Sequence, residues 1–381
     1  MPTRDDATAL DETDPLRLWR GEFAIPDSSL VYLDGNSLGM MPRRTMSRIV
    51  SVVNDEWVLG LIRSWDHWID LPRRVGDRLA PLIGAAAGEV VVHDSTTVNL
   101  YQLVDAACAL RPDRRVIAIS SDDFPTDRYV VAGIADARGL QVRDNCDALD
   151  DVAVMVRSVV DYRSAEVAAV ASETARASAA GAIALWDLSH AAGLLAIDLG
   201  AVGVELAVGC TYKYLNGGPG SPAFSYVAHR LQATLPQPIW GWFAQADQFE
   251  MGPTFAPQPD IRRLLLGTPS IIALAAAEEG IAVTAEAGIQ AIAAKARDLT
   301  GFGLELCDQL GLRSSSPRDP GRRGGHIAVH HADARRLVDV LADRQVITDF
   351  RDPDIVRIGC SPLTTRFTDV YDGVAALAAL A

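Results

Sequence analysis

The sequence predicts an α/β protein: a large unit with a mostly parallel central sheet flanked by helices, followed by a smaller C-terminal α/β unit. Three observations carry this. Between about residues 45 and 265, short apolar runs rich in Val, Ile and Ala alternate with helix-like stretches, the pattern of strand–helix crossovers. After Pro269 the texture changes to an alanine-rich helical stretch and then to new strands. The 381 residues, 49% of them hydrophobic, exceed one average domain and can fill more than one core.

In chain order, residues 1–44 are expected to form an arm with little core of its own, packing with the small unit. Residues 45–269 form the large unit and 270–381 the small one. Asp94 to Leu100 (DSTTVNL) leads into an apolar helical pattern ending at Leu110, so Ser95, Thr96 and Thr97 stand at a helix N-terminus whose free N–H groups suit a phosphate. Alone, this would be an ordinary helix cap. Buried strands are expected at Arg115 to Ser120, Val167 to Ser172, Ala182 to Asp187, Leu206 to Cys210 and Ala223 to Val227. Beyond the boundary come a helix from Ile271 to Ala294, a Gly/Ser/Pro/Arg stretch at Ser314 to Gly325 expected to be a mobile surface loop, further strands and a closing helix.

A formal charge of −14 and the lack of any long basic run argue against a nucleic-acid partner. The five cysteines are odd in number and never spaced as CxxC, which points away from disulfides and zinc. An acidic N-terminus without an apolar signal region, and no apolar run of membrane-spanning length, complete the expectation of a soluble cytoplasmic protein. His326, His330 and His331 are not read as a metal site, because His326 to His330 alternates like a strand and no carboxylate or Cys falls at ligand spacing. No metal is expected.

The densest chemistry lies in Val208 to Gly220 (VGCTYKYLNGGPG), a lysine among aromatics leading into a glycine-rich turn. A lysine held in a tight, partly apolar turn can lose its proton and attack a carbonyl. Asp187 ends an apolar run, at the carboxyl edge of a strand where open α/β sheets bind ligands, and Lys213 follows 26 residues later. One crossover would bring both to the same edge. A carboxylate and a Schiff-base lysine facing one ligand are what pyridoxal phosphate requires. Singly, a structural Asp and a surface Lys would be the commoner explanation. Phe124 to Asp127 (FPTD) follows another expected strand and offers a ring for stacking.

These residues resemble a known family nearly from end to end: the kynureninases, pyridoxal-phosphate enzymes of fold type I related to the class V aminotransferases. The marks are YLDGNSLG (32–39), IRSW (62–65), DSTTVNL (94–100), FPTD (124–127), DLSHAAG (187–193), GCTYKYLNGGPGSPAF (209–224), GWF (241–243), GTPS (267–270) and VRIGCSPLTTRFTDVYD (356–372). The resemblance implies that Lys213 carries the cofactor, Asp187 pairs with its pyridine nitrogen and His190 lies beside it. Phe124 would stack on the ring. Thr96, Thr97, Tyr212, Trp242 and Thr268 would hold the phosphate, the last two reaching over from a second subunit, with Asp127 and Ser172 completing the shell. Arg357 would grip the substrate carboxylate, with Asn36 and Ser37 also expected to bind substrate. A flat aryl ketone needs an apolar, aromatic slot, for which Trp65 is either a wall or only a buried core residue, and a phenol held by a phosphate can shuttle protons, which makes Tyr212 the candidate donor.

The activity implied is hydrolytic cleavage of the Cβ–Cγ bond of L-kynurenine, its 3-hydroxy form or both, by a homodimer with shared sites, as in tryptophan catabolism or NAD biosynthesis. Two departures leave other readings open: Ala244-Gln245 stands where Gly-His is expected, and residues 172–178 lack a Tyr-Arg-Thr-Gly pattern. The alternatives are another pyridoxal-phosphate lyase or aminotransferase, and a non-catalytic homologue.

Overall fold

The computed structural model describes residues 2–381. Seven strands build the central sheet: β1 (Val90–Val92), β2 (Val116–Ile119), β3 (Gln141–Arg143), β4 (Val152–Ser158), β5 (Ile183–Asp187), β6 (Leu206–Gly209) and β7 (Phe224–Val227). Their order across the sheet is β1-β7-β6-β5-β4-β2-β3. Only β7 runs against its neighbours. The other adjacent pairs are parallel, so β1, β2, β4, β5 and β6 all deliver their carboxyl ends to one edge. These strands are buried runs of Val, Ile, Leu and Ala, as a sheet covered on both faces demands. Ser158 and Asp187 are direct partners at the ends of β4 and β5.

The α/β class therefore holds, while several elements differ from expectation. Val167 to Ser172 is not a strand; it runs into a helix, Val170–Ala179. The strand is β4, whose VAVMVRS is richer in β-branched residues than the alanine-rich VAAVAS. Gly288, at φ +86°, splits the expected long helix into Ile271–Ala287 and Ile289–Gln309. The Ser314 to Gly325 stretch is pinned rather than loose. Arg323, 4% exposed, donates to the Thr300 hydroxyl at 2.8 Å and to the carbonyls of Pro317, Arg318 and Arg297. Gly324 N–H also donates to the Ala165 carbonyl.

A second, three-stranded antiparallel sheet lies toward the C-terminus, with Ile355–Gly359 between Asp349–Arg351 and His326–His330. Its core includes Leu299, Ile327, Val356 and Val370, together with Ala7 and Leu33 from the N-terminal segment. Leu16 and Phe23 pack with Val283, Ile292 and Leu363. The chain's beginning is thus folded onto its end, and a parallel pair of Val31–Tyr32 with Val346–Ile347 continues that contact.

Candidate active site

At the carboxyl edge of the central sheet lies a cavity of about 150 Å³ whose walls come from five strand ends. Thr96 and Thr97 follow β1, Phe124 and Asp127 follow β2, Ser158 ends β4, Asp187 ends β5, and Tyr212 and Lys213 follow β6. Ligands gather at such an edge because the loops there diverge and helix N-termini point into the gap.

The lysine turn is fixed by its own polar residues. The Thr211 hydroxyl donates to the Pro222 carbonyl at 2.6 Å and accepts from the Ser221 hydroxyl at 2.6 Å. Gly217 N–H closes on the Thr211 carbonyl at 2.8 Å, and Asn216 takes the left-handed conformation, φ 54°, that its short amide tolerates. The N-terminal segment presses on this turn: a Cβ at Gly39 would stand 2.3 Å from the Lys213 carbonyl oxygen. Only glycine fits that approach.

Lys213 Nζ lies 3.2 Å from His190 Nε2 and 5.9 Å from the Tyr212 ring centre. Asp187 Oδ1 accepts from Ser189 N–H at 2.8 Å and from its hydroxyl at 2.6 Å. Burial pushes the Asp187 carboxyl up, while Ser189 and the Lys213 cation hold it down. Asp127 is driven well above the usual carboxylate range by burial and then by Asp187 and Asp123, and its Oδ2 has no partner. Burial, followed by the Lys213 charge, drives His190 well below the usual imidazole range, so it faces the amine as a neutral ring. The Tyr212 phenol is pushed up by burial and by Cys210 and keeps its proton.

This donor set suits pyridoxal phosphate. The N-terminus of the Thr96–Leu110 helix, capped where Ser95 Oγ accepts from Val98 N–H, offers an anion cradle. Phe124, 37% exposed, leaves a ring face available and is met edge-on by Tyr162 at 5.2 Å. The orphaned Asp127 oxygen wants a donor, and Asp187 can face a protonated ring nitrogen. Lys213 supplies an amine.

Other expected site residues fall elsewhere. Ser172 is exposed on the Val170 helix and donates to its own Ala169 carbonyl, so it is not in the cavity; Ser158 occupies that place. The nearest match to the pattern sought at 172–178 is Tyr162-Arg163-Ser164, in the loop after β4, and Tyr162 lines the cavity. Trp65 packs against Trp68 and Phe243, at 5.5 and 5.9 Å, in an aromatic cluster outside the cavity. Trp242 and Thr268 are exposed and do not line this chain's cavity. Gln245 is absorbed in its own loop, accepting from Ala256 N–H at 2.7 Å. Arg357 lies in the middle strand of the second sheet, 1% exposed, with Asn36 and Ser37 beside it. Its guanidinium is already engaged by Asp349 and by the Tyr162 carbonyl. The sequence signal that could have found Ser158 is its position as the last residue of a Val-rich run, like Asp187.

Comparison with known proteins decides the family. The chain is 42% identical to a kynureninase of Pseudomonas fluorescens over 393 aligned positions, covering 98% of this chain and 94% of that protein. It is 43% identical to one of Burkholderia pseudomallei over 396 positions, covering 99% and 95%. The chain belongs to the kynureninase family. Residues 292–377 of this kynureninase-family chain also match the family model described as the kynureninase C-terminal domain. Solved structures give the fold at a distance. A cysteine desulfurase from Thermococcus onnurineus superposes with TM-score 0.79 at 16% identity, covering 92% of this chain and 94% of that one. The cystine C–S lyase C-DES reaches 0.81 at 16%, covering 92% and 98%. The chain thus shares its overall fold with these structures over nearly its whole length.

Proposed function

We propose that this protein is a pyridoxal-phosphate-dependent kynureninase, which uses water to cleave the Cβ–Cγ bond of L-kynurenine, its 3-hydroxy form or both. The products are anthranilate, or 3-hydroxyanthranilate, and L-alanine. The observation that carries the reading is the Lys213 amine 3.2 Å from His190, in one cavity with Asp187 and Asp127, in a chain 42% identical to a kynureninase over nearly its whole length.

When bound, pyridoxal phosphate supplies the electron sink that lets carbon–carbon bonds near the amino acid's Cα break. The chain's own residues do the rest. Thr96 and Thr97 would hold the phosphate, Phe124 would offer its face to the ring, Asp187 would keep the ring nitrogen protonated, and Asp127, Ser158 and His190 would complete the wall. Lys213 Nζ takes the proton from the substrate Cα and returns protons as the reaction proceeds. Tyr212, still protonated, delivers one to Cβ after water oxygen has bonded to Cγ and the Cβ–Cγ bond has broken. Arg357, with Asn36 and Ser37, receives the carboxylate, so the arm and the small unit, residues 1–44 and 270–381, would complete a site built mainly on the large unit, 45–269.

Trp242 and Thr268 would serve the phosphate of a second copy in a homodimer. Support for pairing comes from a broad exposed apolar surface, Trp57, Val58, Leu59, Leu61 and Ile62, beside a largely apolar groove of about 620 Å³. Five unpaired, buried cysteines suit a reducing cytoplasm. Release of anthranilate and alanine in equal amounts from L-kynurenine is the expected result. Turnover of a different amino acid with no anthranilate would favour the lyase or aminotransferase alternative, and a colourless protein that ignores added pyridoxal phosphate the non-catalytic one.

A further inference from the structure

Arg357 is held by a carboxylate along one edge only, and its other contacts are to uncharged groups. A guanidinium can pair with a carboxylate in two-pronged fashion along either of two edges, Nε/Nη2 or Nη1/Nη2. Asp349, directly opposite Arg357 in the antiparallel register, takes the first edge. Nε donates to Oδ1 at 2.7 Å and Nη2 to Oδ2. The remaining partners are uncharged: Nη2 reaches Ser37 Oγ at 3.3 Å and the Asn36 amide oxygen at 3.0 Å, and Nη1 donates to the Tyr162 carbonyl at 2.7 Å. Tyr162 is itself a wall of the lysine cavity and meets Phe124 there.

Asp349 is bound to more than Arg357. Its Oδ2 accepts from the Ser37 hydroxyl at 3.0 Å and pairs with Arg351 at 2.8 Å. One carboxylate thus ties two arginines of the small sheet to the N-terminal segment, with Arg357 1% and Asp349 13% exposed at the side chain. Were Asp349 neutral, two neighbouring cations would repel and Arg357 could turn about its Cδ–Nε bond.

We propose that Asp349 is the positioning residue of the substrate-carboxylate site: it fixes the Nε/Nη2 edge so that the Nη1/Nη2 edge, between Ser37 and Tyr162, is the one offered to the amino-acid carboxylate. The inference rests on the proposed role of Arg357. In that arrangement the substrate displaces the long Ser37 contact, shares or replaces the Tyr162 carbonyl at Nη1, and leaves the Asp349 pair intact. Its carboxylate then lies on the cavity side, with the amine directed toward Lys213.

The test is steady-state kinetics on cofactor-loaded enzyme with L-kynurenine, together with spectral titration by L-alanine and by its carboxylate-free amine. Asp349→Asn is expected to raise KM roughly 10–100-fold with kcat within about threefold of wild type. It should also erase the preference for alanine over the amine, which a merely structural loss would not do. Asp349→Glu, which keeps the charge but moves it by one methylene, should show the same KM-selective loss in weaker form. If Asp349→Asn does not fold, Asp349→Glu decides. Arg357→Gln is the control. If it raises KM while the Asp349 variants keep wild-type KM and alanine preference, the positioning role is overturned and the proposed function stands. An Arg357→Gln enzyme with wild-type KM would instead remove Arg357, and this inference with it.

Discussion

At the scale of single residues, the site works by placing groups where burial and neighbouring charge set their protonation. Lys213→Ala should give a folded protein that lacks the absorbance band of covalently held cofactor, with turnover reduced at least about a thousandfold. A retained band with ready turnover would show that another amine holds the cofactor. Tyr212→Phe tests the proton donor, because burial keeps that phenol protonated. A fall in kcat of about a hundredfold is expected, and full activity would take Tyr212 out of the mechanism. Residue identity was readable here for Asp187, Lys213, Thr96 and Phe124, since each stands at a strand end or helix start marked by local pattern. Ser172 was misread because a serine beside a glutamate in an alanine run has no signal of depth; only the pairing of Ser158 with Asp187 shows which serine reaches the edge.

At the scale of elements, one helix brings its N-terminus to the cavity and another packs against the lysine turn from outside it. Ser95→Ala removes the cap of the Thr96–Leu110 helix and should lower stability by about 1 kcal/mol, with weaker cofactor retention on dialysis. Unchanged retention would argue that the helix terminus does not cradle the phosphate. The Ile271–Ala287 helix crosses the lysine turn so closely that a Cβ at Gly280 would stand 2.3 Å from the Leu215 carbonyl oxygen and 2.5 Å from that of Asn216. Gly280→Ala should therefore destabilise by about 1–3 kcal/mol through overpacking and shift the cofactor spectrum, read by urea melts and absorbance. The exchange of Val167–Ser172 for Val152–Ser158 as the strand belongs to this scale too. Both are short and apolar, and periodicity cannot separate them, whereas β-branched content and the neighbours β2 and β5 can.

At the scale of the whole molecule, two fully buried histidines tie stability to pH. Burial pushes His93 down to about 3 and His326, also near Arg357, down to about 3. Between pH 3 and the unfolded value near 6.5 the unfolded chain binds more protons than the folded one. Stability is then full above about 6.5 and falls as pH drops through that window, by at most about 2 kcal/mol per histidine from pH 6.5 to 5. Urea midpoints at pH 7 and 5 should show the decline, and a His326→Asn variant a shallower one; equal slopes would exclude His326 as a contributor. By itself the sequence determined the α/β class, the family resemblance and the strand-end residues Asp187 and Lys213, because periodicity and turn chemistry are local and written in neighbouring letters. Only the tertiary structure decided that Ser158 rather than Ser172 walls the cavity, that Trp65 lies outside it, that Arg323 pins a loop of loose composition, and that Asp349 claims one edge of Arg357. Those outcomes depend on which segments meet across the sheet and between its edge and the C-terminal strands, and that is set by packing, not by local pattern.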